Sequence, residues 1–319
     1  YADYFALKWS SVLRNRRTTA SQNPKPTAAF HKWIRDGLKQ NKPYDQFVRN
    51  VLTAAGDFNN TPPVVWYREA NEMSVQLEDT SQLFLGQRLQ CARCHHHPME
   101  KWSEADYYGM AAFFSCVEVS TKNEVTVSIK GGKWEALNPR AETTIPPTPL
   151  EQEAISSDDD PRGALVTWMT NKDNRFFARA LVNRYWKHFL GRALVEPEDD
   201  MRATNPPTNP ALLDALADHF IQSGFDLKNL VRTICLSHAY RLSSEANDLN
   251  LDDTQNYSRF LPRRLLAEVL LDGIDQVTLE KSRFSNVSVE TRAIQLPDNQ
   301  TGSYFLNIFG RPDMGSVCE

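Results

Sequence analysis

Cys91-Ala92-Arg93-Cys94-His95, within the run Phe84-Leu85-Gly86-Gln87-Arg88-Leu89-Gln90-Cys91-Ala92-Arg93-Cys94-His95-His96-His97-Pro98, sets two thiols one helical turn apart and follows them directly with an imidazole. This is the attachment pattern of a c-type haem, and each position has a chemical reason. The two thiols add across the vinyl groups, and a two-residue separation puts both sulfurs on one side of a turn. The next residue then falls under the iron and supplies a neutral imidazole as proximal ligand. The pattern therefore predicts one covalent haem c on Cys91 and Cys94, with His95 on the metal. Five Cys and seven His in 319 residues give on the order of 0.002 chance matches to the pattern. A zinc site is the serious competitor, since His95, His96 and His97 are suitable ligands. It would want a second tight ligand pair some 12 to 20 residues away, and the next cysteine, Cys116, stands alone. A redox dithiol would want a βαβ context, which the helical surroundings lack.

Around the motif, His97 and Met99 fail as second axial ligands because two to four residues reach at most about 7 to 14 Å and would have to wrap the macrocycle edge. His97 is expected instead to hydrogen-bond a propionate or a carbonyl. Trp102, with Tyr107, Tyr108, Phe113 and Phe114, supplies aromatic bulk for a haem wall, although such a stripe also makes ordinary core. His31, His188, His219, His238 and Met110 remain as distal candidates. His188 is preferred: it falls beside the apolar face made by Phe177, Leu181 and Tyr185 on a predicted helix, where an imidazole needs a partner. Its alternative is a core histidine hydrogen-bonded to a carbonyl.

Outward from the motif the pattern is mainly α: a helical c-type haem domain plus a second helical domain, with a small β or irregular insertion between them. Apolar periodicity predicts helices at 3–14, 28–40, 43–55, 68–88 and 104–114, then at 162–170, 174–190, 210–223, 227–238 and 261–273. Pro43 stands in a first turn, Ser103-Glu104-Ala105-Asp106 matches a capping box, and Asn209-Pro210 suits N-cap and first helical position. Val117 and Val119, then Val125 to Ile129 before Gly131-Gly132, alternate as short strands do. Pro139, Pro146, Pro147 and Pro149, followed by Ser156-Ser157-Asp158-Asp159-Asp160, predict a stiff, solvated connection. The expected division is a haem domain at 1–118, a β/Pro-rich connection at 119–160 and a helical partner domain at 161–319. The two helical blocks are expected to pack together, because both present large apolar faces. Beyond 280 an irregular or strand-like course is expected. The chain opens on Tyr1 without a start Met and stops at Cys318-Glu319, which predicts that the natural protein extends past both ends.

Composition narrows the function classes. The balance of 36 Lys+Arg against 40 Asp+Glu gives a net charge of −4 without a basic run, so a nucleic-acid partner is not expected. No stretch approaches the roughly 18 to 20 apolar residues of a membrane span. A phosphate-binding Gly loop, a nucleophile elbow and a His-Glu-x-x-His helix are all lacking. Glu196-Pro197-Glu198-Asp199-Asp200 lacks the alternation of a calcium loop and is expected to be a solvated turn.

The run from Phe84 to Pro98, continued by Trp102 and by Asp106 to Phe114 and preceded by Pro43-Tyr44-Asp45-Gln46-Phe47-Val48, resembles the planctomycete-type cytochrome c domain family. Asn183 to Arg192, Asn205 to Asp214 and Ser237-His238-Ala239-Tyr240-Arg241 are similar to its usual partner, a planctomycete-specific domain of unknown function. The resemblance implies an exported protein, periplasmic or extracellular, whose single haem relays electrons to or from a redox partner protein. It also adds weight to His188, since relatives often carry His at this place in the Trp-x-His-x-x-Gly run. Two alternatives stay open: a haem-dependent extracytoplasmic oxidoreductase acting on a small molecule or carbohydrate, and a surface protein whose haem is a folding staple.

Overall fold

The computed structural model describes residues 1–315 except 123, 156–158 and 286. In chain order, α1 (Ala2–Val12), α2 (Lys25–Lys39) and α3 (Tyr44–Leu52) lead to β1 (Gly56–Asp57), a 3-10 stretch at Pro62–Arg68 and α4 (Met73–Thr80). After the cysteine motif come α5 (Glu104–Ala111), β2 (Val117–Ser120), β3 (Thr126–Ile129), β4 (Ala136–Asn138) and β5 (Thr143–Ile145). The second helical block holds α6 (Arg162–Met169), α7 (Arg175–Leu190), α8 (Pro210–Gln222), α9 (Leu227–Leu236), α10 (Ala267–Thr278) and the short α11 (Tyr304–Ile308). The chain is mainly helical with a small sheet region between two helical parts, as the patterning predicts.

Two expected helix starts are made by their caps. Ser103 Oγ accepts from Asp106 N while the Asp106 carboxylate accepts from Ser103 N at 2.7 Å, and Asn209 Oδ1 accepts from Leu212 N at 3.0 Å with Pro210 in the first turn. Both satisfy orphan donors at a helix N-terminus. The predicted helix at 68–88 is interrupted instead. α4 runs only from Met73 to Thr80, a wide π-type turn covers Ser81–Leu85, and Gly86 closes it in the left-handed region at φ 65°. Leu83, Phe84 and Leu85 are all buried along this wide turn. α10 begins at Ala267 rather than 261, because Pro262 and the extended Leu266 hold the chain out of helix before it. Beyond 280 the described residues contain α11 and a 3-10 turn at Ala293–Gln295, and no strand.

The strands form two small antiparallel sheets, β1-β3-β2 and the hairpin β4-β5. The hairpin lies in the segment expected to be a solvated connection. The rest of that segment is also anchored: Thr148 N donates to Gly109 O on α5 at 2.9 Å. The Ser156-Ser157-Asp158 part of the expected connection, and Cys318, lie outside the described residues.

One apolar core runs from Phe5 and Trp9 through Phe30, Phe47, Trp66, Phe84 and Phe113 into Phe177, Tyr185, Leu213 and Ile234. The two helical blocks therefore pack together, as expected. α1 shows how closely: it is buried around nearly its whole circumference, and Phe5 stacks on Tyr185 of α7 with ring centroids 5.3 Å apart, while Trp9 Nε1 donates to the Tyr185 hydroxyl at 3.2 Å. Arg162, with no exposed surface, joins the blocks a second time. Its Nη1 donates to Leu52 O at 3.1 Å, Ala54 O at 3.2 Å and the Tyr67 hydroxyl at 2.8 Å, and its Nε and Nη2 pair with Asp160. A smaller cluster of Ala267, Leu271, Phe284, Ala293, Leu296 and Leu306 organises the C-terminal part.

Candidate functional site

The cysteine motif sits on a single 3-10 turn, Gln90–Arg93, that follows the Gly86 closure. Leu89 and Ala92 are fully buried, and this anchoring turns Cys91 and Cys94 out to solvent on the same turn. Neither is in a disulfide. His95 is also exposed, and its Nδ1 lies 2.7 Å from His96 O. A carbonyl can only accept, so Nδ1 carries the proton and the Nε2 lone pair is left for a metal. Two outward thiols and one imidazole of fixed tautomer are the donor set that a c-type haem needs, so these residues fit the group.

The turn is pinned from several sides. Arg88 grips Asp199 bidentately, with Nη2 2.7 Å from Oδ1 and Nε 3.2 Å from Oδ2, and Gln82 donates to the same carboxylate. Gln90 Nε2 donates to Gln82 Oε1 at 3.1 Å. On the other side Tyr108 Oη donates to Arg93 O at 3.3 Å, and Arg140 reaches Cys94 O at 3.5 Å while pairing with Glu104 at 3.1 Å. These positioning residues are missed by sequence reasoning, as is the nature of the acidic run. Glu198, Asp199 and Asp200 are not a solvated turn: all three are buried, Asp199 on Arg88 and Glu198 on Lys187 at 2.5 Å. Their cations lie elsewhere in the chain, so only the fold brings them together.

The other expected site residues are placed differently. His97 is half-buried and turned onto its own loop. Its N–H donates to Trp102 O at 2.9 Å and its Nδ1 accepts from Met99 N at 3.2 Å, closing the Pro98–Lys101 excursion. Trp102 is buried; its Nε1 donates to Gln87 Oε1 at 3.1 Å and its ring meets Phe176 edge-on at 6.2 Å, so it ties the loop to the start of α7. Tyr107 donates to Glu78 at 2.8 Å, and burial, reinforced by that carboxylate, raises its pKa.

The structure does not bring His188 to the motif. It lies twelve residues beyond Phe176 along α7, about 18 Å at 1.5 Å per residue, and packs between Tyr4, Phe5 and Phe189. Burial, with Lys8 and Arg263 adding to it, pushes its pKa down to about 4. Of the other distal candidates, Met110 lies on α5, the helix that packs on the motif turn through Tyr108. His31 is buried with Nδ1 3.0 Å from Ser10 Oγ, and burial, helped by Arg35, lowers its pKa to about 4. His219 faces Thr233 at 3.1 Å, His238 is exposed, and Met110 is fully buried in α5. Among the described residues no three His, Cys, Asp or Glu side chains converge as a metal cage.

With this geometry in place, comparison with known families divides the chain where the sheet region does. Residues 1–119 match PSCyt2, a protein of unknown function (DUF1549), and residues 161–316 match PSD1, a protein of unknown function (DUF1553). The chain matches two families in tandem. Both are planctomycete cytochrome c-associated domains. No curated protein and no solved structure matches the chain. The PSCyt2 region carries the cysteine turn, and the PSD1 region carries Asp199, which holds that turn, and His188, which packs on the PSCyt2 helix α1.

Proposed function

We propose that this chain is a c-type haem protein working outside the cytoplasmic membrane, where it exchanges electrons with a redox partner protein. One haem c is held by thioethers from Cys91 and Cys94, with His95 as its metal ligand. The observation that carries this is the turn itself: two unpaired, outward thiols either side of a buried Ala92, followed by an imidazole whose Nδ1 is already engaged. When bound, the group supplies one-electron redox chemistry. The chain's own residues hold it in register. Arg88 and Asp199 fix the approach to the turn, Tyr108 and Arg140 fix its exit, and the exposure of Cys91, Cys94 and His95 leaves them open to a maturation enzyme and then to a partner. The location outside the membrane follows from the chemistry, since thioether formation takes place on the outer face in known systems. Among the described residues no helix is long and apolar enough to cross a membrane.

The test is expression with and without haem-maturation machinery, followed by denaturation. The matured protein keeps its haem through acid-acetone extraction and gives a two-thioether pyridine haemochrome, whereas a Cys91→Ala, Cys94→Ala double variant releases it. Extraction of the haem from the matured wild type overturns the proposal. Carbon monoxide then decides the chemistry: slow or absent uptake by the ferrous protein supports electron transfer, and rapid uptake marks an open iron and favours an oxidoreductase acting on a small molecule.

A further inference from the structure

The side chains around His188 line a partly open cavity of about 290 Å³ between α1, the last turn of α7 and the extended segment 261–266. Phe5, Trp9 and Tyr185 contribute aromatic faces to it, while Lys8, Arg184 and Arg263 bring positive charge. We propose that this cavity binds a small ring-bearing organic anion, a carboxylate, sulfate or phosphate ester carried on a single sugar or aromatic ring.

The charge balance points that way. Four cations line the cavity, Lys8, Arg184, Lys187 and Arg263, against one carboxylate, Glu198. Lys187 is already taken by Glu196 and Glu198 at 2.6 and 2.5 Å, and Arg184 stands 3.8 Å from Glu198. The terminal carbonyls of α7 add roughly half a negative charge, and Arg263 meets one of them, Phe189 O, at 3.3 Å. Two cations still have no carboxylate within 4 Å among the described residues, Arg263 and the half-buried Lys8. Holding a desolvated ammonium beside a guanidinium is unfavourable unless an anion joins them. Burial lowers the pKa of Lys8; among the charges around it Glu268 pulls the other way most strongly, ahead of the lowering by Arg263 and the further pull of Glu198.

The size and walls narrow the ligand. A cavity of this volume lies at the lower edge of small-molecule sites, about 300 to 1,000 Å³, which suits one ring. Aromatic faces beside cationic groups favour a flat or ring-shaped anion over a bare ion. His188, neutral at pH 7, offers a hydrogen bond without charge. The site draws α1 from the PSCyt2 match and α7 with Arg263 from the PSD1 match, so it exists only where the two are joined. It does not depend on the haem proposal.

Isothermal titration of the full chain at pH 7 and low ionic strength tests it, with benzoate and galacturonate as probes, benzyl alcohol and galactose as their uncharged counterparts, and inorganic sulfate as the bare ion. At least one ring anion binds saturably, one per chain, at least tenfold more tightly than its uncharged counterpart and than sulfate. Lys8→Gln and Arg263→Gln each weaken it at least tenfold, while Lys281→Gln, in a separate pocket where Lys281 pairs with Glu290, does not. Arg263 lies on the exposed segment, so its variant keeps the test decisive if the Lys8 variant folds poorly. Absence of saturable binding, equal binding of charged and uncharged probes, equal or tighter binding of sulfate, or unchanged affinity in Arg263→Gln overturns the inference.

Discussion

Replacing Arg162 by Met keeps an unbranched apolar stem and removes the guanidinium fork. In the structure that fork donates to Leu52 O, Ala54 O and the Tyr67 hydroxyl, and pairs with Asp160 at 2.6 Å. Leu52 O keeps Tyr67 Oη as a donor, but Ala54 O loses the side-chain partner it has here. A buried carbonyl left unpaired costs about 1 to 3 kcal/mol. Breaking a fully buried ion pair costs about 3 to 5 kcal/mol, but the Asp160 side chain is 33% exposed and rehydrates, which removes part of that. The expected loss is therefore about 3 kcal/mol, or roughly 4 to 5 °C in Tm for a chain of this size. Arg162→Lys restores the charge without the fork and is expected to fall between the two. Urea denaturation followed by far-UV circular dichroism measures both, and because the residue joins the two helical blocks the loss is expected as one cooperative shift. A loss under 1 kcal/mol for Arg162→Met would refute the view that this buried guanidinium holds the blocks together.

Three other outcomes are expected. His31 and His188 titrate near 6.5 in an unfolded chain and at about 4 in the fold, so the folded protein binds fewer protons between those values. Stability is unaffected by them above pH 6.5 and falls as pH drops from 6.5 to 4, by ~3 kcal/mol for the buried His31 alone; urea midpoints at intervals across that range should show the slope, and a His31→Gln, His188→Gln variant that keeps it counts against the assignment. Gly109→Ala would gain about 1 kcal/mol from helix propensity alone, but its Cβ would stand 2.8 Å from Thr148 Cβ and 3.2 Å from Thr148 O, so a net loss of about 1 to 3 kcal/mol is expected and a raised Tm would be the contrary result. Ser103→Ala removes the cap of α5 and should lower stability by about 1 kcal/mol, measured by thermal melting, where an unchanged Tm would mean that the cap contributes nothing.

What could be foreseen from the chain follows the range of the interactions. The starts at Ser103 and Asn209 are local, three residues from cap to partner, and both are where the pattern puts them. The interruption after Thr80 is invisible because Leu83, Phe84 and Leu85 continue an apolar run that fits a helix and a wide turn equally well. The buried state of Asp199 depends on Arg88, 111 residues away, and no spacing rule reaches that far. The pattern puts His188 beside the apolar face of Phe177, Leu181 and Tyr185, but what it meets is decided by α1, whose Tyr4 and Phe5 pack on it, so it lines the cavity between α1 and α7. The cysteine turn is legible as chemistry, while its outward display rests on the burial of Ala92 and the grip on Arg88, which only packing shows.

The burial of α1 against α7 also sets a clock. Synthesis runs at about 5 to 20 residues per second, and 180 residues separate Phe5 from Tyr185 in the chain. On that scale the apolar circumference of α1 waits roughly 10 to 35 s for the partner that completes its burial. During that interval α1 has α2 and the rest of the first helical block to pack on, but not the ring of Tyr185.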